Sequence, residues 1–131
     1  MSTPIRPTSP HLQIYRRTYT MMLSITHRAT GLALSAGLVL LTAWLLAVAQ
    51  GPEHYRHFLT PLGSVPGLVV LAGLAASFCY HFVAGIRHLV FDTGRSLERR
   101  EARRSAVIVV VASLVLIALV AYAWVNLKGL P

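Results

Sequence analysis

Three long stretches without a charged side chain limit what this chain can become. No Asp, Glu, Lys or Arg occurs from Ala29 to Pro52, from Leu59 to Ile86, or from Ser105 to Leu127. Each stretch has at least 23 residues, and about 20 apolar residues in a helix cross the hydrocarbon core of a bilayer. The 131 residues leave room for one small domain. The expected fold is an all-α membrane protein with three transmembrane helices, at about 19–49, 61–90 and 105–127, in a single domain over 1–131. The first helix would run about 45 Å at 1.5 Å per residue, so it protrudes from the membrane or tilts.

A net charge of +8 suggests nucleic acid until its distribution is read. Of the 12 Lys and Arg, Arg6, Arg16, Arg17 and Arg28 precede or open the first span, and Arg87, Arg95, Arg99, Arg100, Arg103 and Arg104 lie between the second and third. Only Arg56 falls between the first and second, and only Lys128 follows the third. Positive residues favour the cytoplasmic side, so the N-terminus and the second loop are expected in the cytoplasm. The basic excess reports topology and attraction to anionic headgroups, not nucleic-acid binding. Cys79 is the single cysteine, which excludes an internal disulfide, and it reads as a small buried residue. The first apolar run begins too late for a cleaved signal peptide, and the proline-rich start does not resemble an amphipathic transit peptide. A bacterial inner membrane is therefore expected over the mitochondrial one.

The candidate chemistry lies at the ends of the spans. His81 and His88 are seven residues apart, about two helical turns, so both rings share a face, with Gly85 between them leaving a gap. Ionisable groups in hydrocarbon are costly and mark function by default. Two readings stand open: an axial ligand beside a notch for a haem ring, or a histidine hydrogen-bonded to a neighbouring helix. His81 is six residues before Arg87, about 9 Å deeper by helix rise. In the first span, Ser24, His27 and Arg28 can meet on one face, with Gly31 a turn beyond His27. The ordinary alternatives are a snorkelling Arg28 and a Ser24 bonded to its own backbone. The first helix leaves the cytoplasm and the second returns to it, so Ser24, His27, Arg28, His81 and His88 converge toward one side. His54 and His57 sit in a short outer loop, Glu53 to Thr60, and read as solvated. Pro61 and Pro66 are expected to open the second span. Asp92 to Arg104 reads as a charged cytoplasmic loop. The third span has no interior ionisable residue and reads as packing scaffold, with Trp124 as an interfacial anchor; Tyr15 and Tyr19 suit the opposite headgroup layer.

Three segments together carry a resemblance: Arg6-Pro-Thr-Ser-Pro-His-Leu-Gln-Ile-Tyr15, Ser24-Ile-Thr-His-Arg-Ala-Thr-Gly31, and His81-Phe-Val-Ala-Gly-Ile-Arg-His-Leu-Val-Phe-Asp92. They resemble the cytochrome b membrane-anchor subunits of succinate dehydrogenase, respiratory complex II. The resemblance implies a helical bundle completed by a second small anchor subunit, with iron–sulfur and flavoprotein partner subunits outside the membrane. It implies that His81 is an axial ligand of haem b, the second axial histidine coming from the other anchor subunit. It places Ser24 and Arg28 at a ubiquinone pocket, and His27, Arg28 and His88 near the haem propionates. A serine hydroxyl suits a quinone carbonyl, and a permanently charged guanidinium suits propionates and a quinone accepting electrons. The implied function passes electrons from succinate oxidation to ubiquinone; the flavin active site is in a partner. The alternatives are a haem-free structural anchor and a fumarate reductase-type anchor using menaquinone.

Overall fold

The computed structural model describes residues 18–127. The proline-rich start, Tyr15 and the cations Arg6, Arg16, Arg17 and Lys128 lie outside them. The described residues form four helices: α1 (Tyr19–Ala49), α2 (Pro52–Leu62), α3 (Val65–Asp92) and α4 (Arg99–Leu127). Three of these, α1, α3 and α4, are long and apolar enough to cross a membrane. The chain is an all-α membrane protein.

Local signals set the helix ends. The Thr18 hydroxyl accepts from the Met21 amide at the start of α1, and the Ser64 hydroxyl accepts from the Gly67 amide at the start of α3. Gly51, at a φ of 101°, turns the chain out of α1. The stretch expected as an outer loop is instead α2. Pro52 occupies its first turn, where a missing amide costs nothing. Tyr55, Phe58 and Leu62 recur at helical spacing and are its less exposed residues, while His54 and His57 are exposed. Pro61 therefore lies near the end of α2, and the second span starts four residues later than expected, with Pro66 in its first turn. The α4 helix begins six residues before its charge-free stretch. Arg, Glu and Ala are strong helix formers, so the helix continues out of the membrane through Arg99–Arg104. The loop before it shrinks accordingly.

The long helices run antiparallel, and α3 is central, packing on both α1 and α4. The seams are built from small residues: Cys79 and Ala84 on α3, and Ala106, Val109 and Ser113 on α4, are buried. Between helices in lipid, close packing of small side chains replaces the hydrophobic drive. A Cβ on Gly37 would stand 3.0 Å from Leu74 Cδ2, so Gly37 lets that leucine nest against α1. Large apolar residues such as Leu32, Val39, Phe78 and Leu114 face outward. Hydroxyls within the spans bond back to their own helix, Thr26 to the Met22 carbonyl at 2.9 Å and Thr42 to the Leu38 carbonyl at 2.9 Å, which spares them an unsatisfied state in hydrocarbon.

The α3–α4 seam also holds a charge. Arg87 is 8% exposed. Its Nε donates to Ser105 Oγ at 2.9 Å, its Nη2 to the Ala102 carbonyl at 3.1 Å, and its guanidinium lies 4.3 Å from the Phe91 ring centre. The planar fork fits all three partners at once, which a lysine cannot do. A buried charge is expensive in itself, so an apolar replacement recovers much of what it loses. Ser105 keeps its own bond to the Ala102 carbonyl at 3.0 Å, so removing Arg87 strands no buried polar group there. Arg87→Lys is therefore expected to cost about 1–3 kcal/mol, and Arg87→Leu less than about 1 kcal/mol. Thermal unfolding of the purified protein in detergent measures both, and the reverse order would contradict this account.

Candidate functional site

The start of α1 and the end of α3 meet at the same end of the bundle as the α4 start. There the rings of His27 and His81 stack, centres 4.0 Å apart and planes within 8°. His88 closes on the other side of His27 at 4.8 Å, tilted by 44°. The expected convergence of three histidines from two spans is thus present. His88 also meets Phe91 edge-on at 6.3 Å, so Phe91 touches both the site and the Arg87 clamp.

Local sequence explains the seating of each ring. Gly31 stands opposite His81: a Cβ there would come within 3.0 Å of His81 Cε1. The gap at Gly85, expected as a notch between His81 and His88, has His27 beside it, with Nε2 3.9 Å from where a Cβ would be. Next to His81, the Tyr80 hydroxyl donates to the Leu23 carbonyl at 2.9 Å and gives α1 and α3 a second polar stitch.

The tautomer of His81 follows from its neighbours. Its Nδ1 is 3.1 Å from the His27 carbonyl oxygen and 3.1 Å from Thr30 Oγ1. A carbonyl only accepts, so Nδ1 carries the proton. The lone pair is then on Nε2, the form in which imidazole ligates a metal. The Nε2 of His27 is buried without a hydrogen-bond partner among the described residues. His27 and His81 lie face to face and His88 is tilted against His27, and the described residues hold no group of three or more ligands placed for a bare metal ion.

Ser24 and Arg28 are not drawn into this cluster. Ser24 is half-buried and Arg28 exposed, and neither makes a hydrogen bond or ion pair among the described residues. Sequence reasoning missed two members of the neighbourhood, Thr30 and Arg87. A cavity of about 500 Å³ opens between α1, α3 and α4, lined by Tyr19, Met22, Thr26, Tyr80 and Arg103 among others. A second, apolar one of about 460 Å³ lies between α3 and α4 toward Trp124.

Residues 2–120 match the family model of the succinate dehydrogenase/fumarate reductase transmembrane subunit. The chain belongs to that family. It is 40% identical over 111 residues to the succinate dehydrogenase cytochrome b556 subunit of Paracoccus denitrificans, covering 85% of each chain. It is 40% identical over 108 residues to the human mitochondrial cytochrome b560 subunit, covering 81% of this chain and 64% of that one. The cytochrome b556 subunit of Rickettsia prowazekii is 35% identical over 111 residues, covering 85% of this chain and 86% of that one. The chain thus spans most of its bacterial relatives and just under two thirds of the human one. Family members are membrane subunits of an oxidoreductase complex.

A buried unpaired nitrogen costs about 1–3 kcal/mol. Replacing His27 by an apolar ring of similar shape removes that cost and keeps the stacking on His81. His27→Phe is expected to leave the thermal stability of the purified protein unchanged or raise it by about 1 kcal/mol. His27→Ala, which empties the space between two rings, should lower it. A clear loss of stability in His27→Phe would mean that the nitrogen has a partner in the folded protein.

Proposed function

We propose that this chain is the haem b- and quinone-binding membrane-anchor subunit of a succinate dehydrogenase, passing electrons from succinate oxidation to ubiquinone. One observation carries the reading. His81 is seated against Gly31 with its Nδ1–H tied to α1, which leaves the Nε2 lone pair available, in a chain whose relatives are named cytochromes b. The residues present fit such a group. A haem brings four nitrogens of its own and needs one imidazole from this chain, so stacked rings suit it where they would not suit a bare ion.

His81 would be the iron ligand from this subunit, and the second axial histidine would come from the other small anchor subunit. A haem held by His81 would supply one-electron transfer. His27 on α1, His88 on α3 and Arg28 one residue beyond His27 would hold the propionates. The orphan Nε2 of His27 supports this, since a propionate oxygen would satisfy it. Ser24 and Arg28 keep their donors uncommitted within the described residues, as a site for a quinone carbonyl requires. Arg28 adds a charge that favours a quinone gaining electrons. The iron–sulfur and flavoprotein subunits would deliver those electrons from outside the membrane. By the distribution of arginines the site would face the cytoplasm, and a bacterial inner membrane would be its place, in keeping with the relatives of Paracoccus and Rickettsia.

The deciding measurement is a reduced-minus-oxidised optical spectrum of the complex purified with its partners, wild type against His81→Ala. A low-spin b-type spectrum that disappears in the variant, with the polypeptides still together, is the expected result. The same spectrum in both would move the ligand elsewhere, and none in either would leave a haem-free anchor. For the quinone site, Arg28→Leu removes a charged donor worth about 1.5–3 kcal/mol, or about ten- to hundredfold in rate. Quinone reductase activity should fall by that much while the amount of assembled complex stays near wild type. Equal loss of both would make Arg28 a structural residue.

A further inference from the structure

We propose that Thr30 is a positioning residue for the His81 imidazole, acting on the nitrogen opposite the one that binds the haem iron. The inference rests on His81 being that ligand. Thr30 Oγ1 has one proton and three neighbours: the Thr26 carbonyl at 3.0 Å, the His27 carbonyl at 2.9 Å and His81 Nδ1 at 3.1 Å. The His27 carbonyl itself lies 3.1 Å from the same Nδ1. If Thr30 gave its proton to Nδ1, the ring lone pair would face the carbonyl lone pair at that distance, which is repulsive. The assignment without conflict has Nδ1–H shared between the His27 carbonyl and Thr30 Oγ1, with the Thr30 proton turned back to its own helix.

Ser35 and Thr42 bond back to carbonyls of their own helix and reach no further. Thr26 bonds back and meets the Tyr80 hydroxyl of α3. The Thr30 hydroxyl also bonds back, and it is the one that reaches an imidazole of α3. Gly31, the next residue, provides the space for the ring, since a Cβ there would stand 3.0 Å from His81 Cε1. Thr30 and Gly31 thus form one seat, an acceptor beside a gap, and the ring cannot rotate about its long axis without losing both acceptors. Two acceptors on Nδ1–H draw its proton outward and enrich the opposite nitrogen in electron density. That favours the oxidised state of a metal bound there. Removing one acceptor should raise the midpoint potential of the haem and relax the ring's orientation.

The experiment compares wild type, Thr30→Val, Thr30→Ser and His81→Ala in the complex purified with its partners. The readouts are haem content, midpoint potential by optical redox titration, and the low-spin electron paramagnetic resonance signal of the oxidised haem. Valine keeps the shape of threonine and loses the oxygen; serine keeps the oxygen. Thr30→Val is expected to raise the potential and shift the low-spin signal, with Thr30→Ser at wild-type values. Haem lost in Thr30→Val but held at the wild-type potential in Thr30→Ser would equally support the role of the oxygen. Wild-type haem content, potential and signal in Thr30→Val would overturn the proposal, as would serine and valine variants altered alike. Failure of the ligand reading itself would show separately, as a low-spin spectrum that persists in His81→Ala.

Discussion

The bundle depends on how closely α1 and α3 approach at Gly31. Two helices in lipid gain little by burying apolar side chains against each other, because the tails they displace are equally apolar. What holds them is short-range packing and polar contacts with nothing to compete for them. Along the α1–α3 crossing these contacts form a line: Leu74 in the space beside Gly37, Tyr80 on the Leu23 carbonyl, and His81 on the His27 carbonyl and Thr30. A larger residue at Gly31 would push His81 away and break the polar end of that line. The α3–α4 seam follows the same logic with different parts, small residues in the middle and the Arg87 clamp at the charged end. Because the clamp and the imidazoles share Phe91, the end of α3 is fixed from both sides where the site is built.

The exterior reflects the same solvent. In water, the outward-facing Leu32, Val39, Val65 and Leu89 would be a liability; in hydrocarbon they are solvated by their surroundings. Helices arranged around a central α3 have little interior, so few residues are fully buried and nearly all of those are small.

Much of this was legible in the sequence because charge and spacing are strong signals in a membrane. The uncharged stretches placed three spans, the seven-residue interval put His81 and His88 on one face, and helix direction brought His27 to them. The misplacements have physical causes. The Pro52–Leu62 segment is too short and too polar to register as a span; Gly51-Pro52 reads as a helix stop and Pro61 as a helix start, although Pro52 sits in the first turn of α2 and Pro61 near its end. Arg99–Arg104 reads as loop because charge ends a span, but charge does not end a helix. Arg87 read as a boundary marker, and only the position of Ser105 and Ala102 on a helix distant in sequence shows it turned inward. Thr30 lay within the Ser24–Gly31 segment yet carried no signal, since its role exists only where two helices cross.

Two buried polar atoms remain without partners among the described residues, Ser113 Oγ and His27 Nε2. They invite the same explanation and do not support it equally. Ser113 is a small side chain in the tight α3–α4 seam, flanked one turn earlier by Val109, and it lacks ionisable neighbours on its own helix. Its hydroxyl is what remains when a seam needs a small residue. His27 is large, and phenylalanine would fill its place between His81 and His88 without the cost of an unpaired nitrogen. Stability alone therefore does not account for a histidine there. Proteins depart from local consistency chiefly where function demands it, and this departure falls among the other imidazoles, beside the helix ends that carry Arg28 and Arg87. The unpaired nitrogen of His27 is thus a cost that packing within this chain does not offset.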